Sequence, residues 1–271
     1  MSNGKTPAQR TARDQLLRRQ QAQQERVRTR RRVFVAGAVA AALLAGSGVG
    51  YALGAKSSGS SGRDSSSADG PLVIPAHATG ADGTVITYGK ADAKDTVHVY
   101  EDMRCPFCEK FETALGPTLA AMADAGKVKI EFHMAAFLDK SLGGKGSKTA
   151  LAALGAALNE SPLKFKQFHD VLYAAQPKDE TTDTYGSTAT LLDLAGKVDG
   201  LRSPSFNKAV KEGTYLPWAQ KVADAFYDTP DVSGTPAVKV NDTRIEVIGP
   251  GRNAISPQDF TAKVDAALHQ G

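Results

Sequence analysis

The stretch VHVYEDMRCPFCEKF, residues 97–111, decides how the whole chain is read. It holds Cys105 and Cys108, the two cysteines of a 271-residue protein. TVHVYED (96–102) is rich in β-branched and aromatic residues and reads as a strand. From Pro106 the period changes. Phe107, Phe111, Ala114, Leu115, Leu119 and Met122 recur at helical spacing until Gly126 ends the run. Cys105 therefore lies at a strand-to-helix junction, with Cys108 one turn further in. An i, i+3 spacing puts both sulfurs on one helix face, where they can bond without opening the helix. Pro106 suits the first turn, because its ring fixes φ and its missing N–H had no helical partner. Free N–H groups and the positive end of the helix dipole favour a thiolate at Cys105. Such a thiolate is both nucleophile and leaving group, the requirement of thiol–disulfide exchange.

Three other readings compete. A structural disulfide closing so small a loop removes little unfolded-state entropy. A structural zinc needs four ligands and CPFC supplies two. His77, His98, His133, His169 and His269 show no ligand spacing and read as ordinary surface or core residues, so no metal is expected. Two unrelated free thiols three apart would be unusual in an exported protein. Redox activity is the reading that the strand–CxxC–helix pattern favours.

Export is argued from the N-terminus. Residues 1–32 carry ten Lys/Arg against Asp14 and Glu25, a net charge of +8, while the rest of the chain is at −4. The basic balance thus belongs to a tail, and the body gives no reason to expect nucleic-acid binding. VFVAGAVAAALLAGSGVGYAL (33–53) follows, 21 residues without a charge. As a helix it would span roughly 30 Å, the hydrocarbon thickness of a bilayer. The one-sided arginines place residues 1–32 in the cytoplasm and everything after 53 outside. The segment is read as an uncleaved anchor of a single-pass cell-membrane protein. The alternative is a cleaved signal that releases an exported domain. Residues 54–70 hold eleven Gly or Ser in seventeen and read as a flexible tether.

The folded part is 71–271. TVITYG (84–89) and TVHVYED precede the CPFC helix, and VKIEFHMAAFL (128–138) reads as the next strand, giving a βαβ unit with parallel pairing. Residues 145–227 look almost wholly helical. VSGTPAVKVND and TRIEVIG read as two strands joined at Asn241-Asp242, and Ser256-Pro257-Gln258-Asp259 opens a last helix.

EDMRCPFCEKF on a strand–helix turn, a helical block and then VSGTPAVKVND together resemble the DsbA-like thiol–disulfide oxidoreductases of the thioredoxin superfamily, over about residues 84–269. The resemblance implies an α/β thioredoxin fold, a mixed sheet flanked by helices, with a helical subdomain inserted at about 139–230. It implies that Cys105 is the attacked cysteine and Cys108 its buried partner, with Pro106 and Phe107 tuning the redox potential. Phe107 stands where the best-known members have histidine. It further implies a cis Pro236 beside the cysteines, with the Thr235 backbone pairing to an extended substrate. Asp102 matches a frequent acidic position; it and Glu101, on the opposite face of the strand, are candidate proton relays. The expected activity is donation of the Cys105–Cys108 disulfide to exported cysteine-containing proteins, with no other cofactor and a quinone-linked membrane oxidase as re-oxidising partner. A reductase or isomerase of the same fold, or a non-enzymatic tethered chaperone, are the alternatives.

Overall fold

The computed structural model describes residues 70–269. The basic tail 1–32, the apolar segment 33–53 and all of the tether except Gly70 lie outside the described residues. Among the described residues no helix is long and apolar enough to cross a membrane.

Six strands form one mixed sheet: β1 (Ala78–Thr79), β2 (Val85–Tyr88), β3 (Thr96–Asp102), β4 (Lys129–Ala135), β5 (Ala237–Val240) and β6 (Thr243–Ile245). Their order is β1-β2-β4-β3-β5-β6. β3 and β4 are parallel, Val97 against Ile130, and the other neighbouring pairs are antiparallel. A parallel pair needs a crossover, and helix α1 (Pro106–Ala125) supplies it. The helix stops at Gly126, whose φ of 80° is the left-handed conformation that glycine adopts without a Cβ penalty.

β4 ends at Ala135, and Phe137 opens helix α2 (Phe137–Leu142), so the strand expected over 128–138 runs three residues too far at its C-terminal end. Phe137 and Leu138 are as apolar as strand residues, which is why periodicity misplaces them. The Leu138 N–H instead donates to Asp102 Oδ2 at 3.2 Å, and Phe137 packs on Phe226 with ring centroids 6.0 Å apart.

Between α2 and β5 run α3 (Gly146–Glu160), α4 (Pro162–Ala174), α5 (Thr188–Ala195), α6 (Pro204–Glu212) and α7 (Leu216–Phe226). Ser161, Ser187 and Ser203 cap α4, α5 and α6, each hydroxyl accepting from the N–H three residues on. α3 is buried almost all round, from Ala150 to Leu158, and forms the spine of this block. After the β5–β6 hairpin, where Asn241 takes a φ of 50°, α8 (Pro257–Leu268) closes the chain behind its Ser256 cap.

One sheet face carries Val97, Val99, Ile130, Phe132, Val238 and Val240 into the main core with α1 and α4. On the other face Tyr100, Ala135 and Ala237 pack on Phe226 of α7, while His98, Glu131 and His133 remain half-buried. Alternation along β3 thus sends Glu101 to the main core and Asp102 to the opposite side.

Candidate active site

Cys105 is the N-cap of α1, with φ −75° and ψ 118°. Its N–H donates to the Asp102 carbonyl at 2.9 Å, and its own carbonyl accepts from the Glu109 N–H at 3.1 Å. Both cysteines are free thiols. Cys105 retains 6 % of its surface and Cys108 none, so only the first can meet a partner. The Cys105 Sγ donates to the Thr235 carbonyl at 3.5 Å, and the Thr235–Pro236 bond is cis. A segment 130 residues away in sequence thereby abuts the thiol, as the resemblance implies.

The two thiols differ electrostatically. A hydrogen bond from Cys108 lowers Cys105 from 9.0 to about 7; burial opposes this, and the Thr235 side chain and the N–H groups of Cys108 and Phe107 add to it. Burial drives Cys108 well above its ordinary value, helped by Cys105 and by the charge on Glu101. In the dithiol the negative charge therefore resides on Cys105. Alkylation of the reduced protein by iodoacetamide should show a Cys105 midpoint near pH 7, with Cys108 inert. A midpoint near that of free cysteine, about 8.5, would remove the basis for an activated thiol. Because the folded value is depressed, the thiolate stabilises the reduced fold above pH 9, and this contribution is lost as pH falls through 7.

Behind Cys108 lies a buried ionic cluster. His169 of α4, fully buried, meets Glu101 Oε1 at 2.5 Å through Nε2. Its Nδ1 lies 3.5 Å from Asp170 Oδ1 and 3.9 Å from Glu112 Oε2, neither aligned as a formed hydrogen bond. Burial disfavours the imidazolium, yet the Glu101 carboxylate, Asp170 and Glu112 together raise His169 to about 10. Burial first, then the charge of Glu101, raise Glu112 to about 8. Glu101 Oε2, both Glu112 oxygens and His169 Nδ1 have no hydrogen-bond partner. Such buried, unpartnered groups are costly to a fold and mark places where charge or protons are handled. Asp170 is half-exposed, so the cluster runs from beside Cys108 to the surface.

Asp102 is differently placed. Its Oδ1 accepts from Ser147 Oγ (2.6 Å) and the Arg104 N–H (3.0 Å), and its Oδ2 accepts from Leu138. It knots the turn before Cys105 to α2 and α3. Of the two candidate relays, only Glu101 shares a face with the buried thiol.

The thioredoxin family model matches residues 81–266. The chain belongs to the DsbA-like thiol–disulfide oxidoreductases of the thioredoxin family. This oxidoreductase is 29% identical over 159 residues to disulfide bond formation protein D of Bacillus subtilis, an overlap of 58% of this chain and 68% of that protein. Among solved structures, the reduced disulfide bond oxidoreductase DsbG of Mycobacterium tuberculosis superposes with a TM-score of 0.57 at 26% identity, covering 69% of this chain and 88% of the other. Oxidised BdbD of Bacillus subtilis gives 0.56 at 26% identity, covering 69% and 94%.

Within the oxidoreductase several site residues escape sequence reasoning. Arg104, next to the candidate nucleophile, is buried, and its guanidinium donates to Asp139 Oδ1 (3.1 Å) and the carbonyls of Gly143 (2.7 Å) and Glu180 (3.1 Å). Gln176 Nε2 donates to the Met103 and Cys105 carbonyls at 2.9 and 3.2 Å. His169, Glu112, Ser147 and Asp139 complete the list, and no local pattern distinguishes them from ordinary helix residues. Phe107 is covered by the Arg252 guanidinium, 4.9 Å from the ring centroid, and by Lys110 at 5.4 Å. Arg104→Lys should cost about 1–3 kcal/mol in urea unfolding, because an ammonium cannot reach three acceptors set out for a planar fork. An unchanged midpoint would show that the guanidinium is not what holds the turn.

Proposed function

We propose that the oxidoreductase donates a Cys105–Cys108 disulfide to exported proteins, outside the membrane. The observation that carries this is the division of labour between the thiols: a reachable Cys105 with a lowered pKa and a sealed Cys108 with a raised one. A stabilised Cys105 thiolate favours the dithiol form, and a stable dithiol makes the disulfide oxidising.

In the forward reaction a substrate thiolate attacks Cys105 Sγ. The Cys105–Cys108 bond breaks, a mixed disulfide forms, and the electron pair departs on Cys108. Because Cys108 favours its neutral form, it takes up a proton, which Glu101 delivers from the His169–Glu112 store, replenished through Asp170. The substrate's second thiolate then attacks its own bound sulfur. The mixed disulfide breaks and the electron pair returns to Cys105 as a thiolate. The substrate is oxidised and the CxxC pair reduced, two electrons in all. Thr235 holds the extended substrate through its backbone, while Pro106 and Phe107 set the potential. Asp102 supports the turn.

Residues 33–53 anchor the enzyme in the membrane and residues 54–70 tether it, with residues 71–271 as the catalytic domain. A quinone-linked membrane oxidase accepts the electrons, and no cofactor beyond the disulfide takes part. The supporting observations are the one-sided basic flank and uncharged 21-residue run, together with the relatives named for disulfide bond formation. Equilibrium titration against glutathione tests the direction: the potential should lie above thioredoxin's, about −270 mV. A value at or below that would make the enzyme a reductase.

A further inference from the structure

We infer that His98, Glu131 and His133 form a binding site for a divalent first-row transition ion of the zinc class. The three stand on the sheet face opposite α1 and the thiols, so the inference does not depend on the redox reading. In the parallel β3–β4 pair His98 is registered against Glu131, and His133 follows two residues on, which puts all three side chains on one face.

Their ligand atoms converge. His98 Nδ1 is 3.1 Å from His133 Nε2 and 3.3 Å from Glu131 Oε2, and His133 Nε2 is 4.0 Å from Glu131 Oε2. Those three separations define a triangle, and the point equidistant from its corners lies about 2.1 Å from each. That is the length of a zinc–imidazole or zinc–carboxylate bond. A tetrahedral ion sits just outside that plane, so binding needs only a small shift of the three side chains and replaces the His98–His133 hydrogen bond. Two imidazoles and one carboxylate, with a further position left for water, suit a borderline cation such as Zn²⁺ better than the all-oxygen preference of Ca²⁺ or Mg²⁺.

The support around the site is rigid. Both elements are seven-residue strands rather than loops, and the Tyr100 ring stacks on His133 at 4.5 Å with a 15° interplanar angle. The site is also accessible, since His98 and Glu131 each keep 25% of their side-chain surface and His133 keeps 19%. Lys239 on β5, registered against His98, and Lys129 on β4 oppose a cation, while Asp242 favours it. The two lysines against one carboxylate lower the expected affinity below that of a sealed structural site. The sequence conceals the arrangement: 35 positions separate the two histidines, and only strand pairing joins them.

The test uses the full-length protein in detergent with Cys105–Cys108 oxidised, so that thiols cannot compete for metal. Titration with Co²⁺ should give one equivalent with visible d–d absorption, displaced stoichiometrically by Zn²⁺. His98→Ala and His133→Ala should each weaken binding at least thirtyfold and Glu131→Gln about tenfold. His77→Ala and His269→Ala should leave it unchanged. Far-UV circular dichroism and melting without metal check that the variants fold, and the near-isosteric Glu131→Gln keeps the test decisive if a histidine variant does not. Absence of the d–d bands, or binding that survives in Glu131→Gln and in each folded histidine variant, would mean an adventitious ion only and would overturn the site.

Discussion

Cys108→Ala protein should accumulate mixed disulfides through Cys105 and lose dithiol oxidation by at least about a thousandfold, because without Cys108 no disulfide remains to donate. The reason lies in the asymmetry of the pair. Cys105 is the reachable thiol and its anion is favoured near neutral pH, so it still captures client disulfides once Cys108 is gone. Nothing then expels the client from within. Cys105→Ala should trap nothing, since Cys108 is sealed and strongly disfavours ionisation. Non-reducing electrophoresis followed by mass spectrometry reads the adducts. Adducts on Cys108 in the Cys105→Ala protein, or none on Cys105 in the Cys108→Ala protein, would reverse or abolish the assignment.

The second large effect is expected at Glu101. Glu101→Gln removes the carboxylate that holds the His169 imidazolium inside the core, leaving a buried charge short of its closest counter-ion. Breaking one side of such a pair costs about 3–5 kcal/mol. Reduction of the disulfide by a model dithiol should also slow by roughly a hundredfold, the usual scale for a lost proton donor, with a displaced pH profile. Asp102→Asn supplies the contrast. It disturbs the bonds to Ser147, Arg104 and Leu138, lowers stability and removes a carboxyl that burial raises to about 6. Any change it makes to the pH profile therefore lies near pH 6 rather than at the higher values of the Glu101 cluster. Equal pH profiles for the two variants would deny Glu101 its role.

The same cluster also makes folding pH-dependent. The values of His169 and Glu112 are both raised, from 6.5 to about 10 and from 4.5 to about 8. A raised value contributes stability that is complete below the unfolded pKa and is lost as pH rises through the folded one. The cluster's contribution to the oxidised protein should therefore fall between about pH 4.5 and 10, most clearly above 6.5, where His133, lowered to about 4 by burial, no longer opposes it. Reduction adds the Cys105 thiolate, whose contribution runs the other way and grows between pH 7 and 9. The stability of the reduced form over the oxidised should thus widen by up to about 2–3 kcal/mol across that interval. Urea unfolding of both forms at pH 7 and 9 measures it.

What the sequence determined alone is whatever depends on neighbours within a few residues. The β3 strand, the α1 helix from Pro106 to its Gly126 stop, the Asn241 turn and the Ser256 cap each follow from local dihedral preferences and periodicity. The CxxC pair was legible for the same reason, because the helix turn itself brings both sulfurs to one face. Resemblance, not spacing, pointed to Thr235-Pro236. Tertiary structure alone decided which carboxylate stands beside Cys108, where β4 gives way to α2, that Arg104 and Gln176 hold the turn, and that His169 and Glu112 meet behind Cys108. It alone placed His98 against Glu131 and His133. Those contacts join residues dozens of positions apart, and one-dimensional periodicity carries no information on which strand pairs with which or which helix covers a given face.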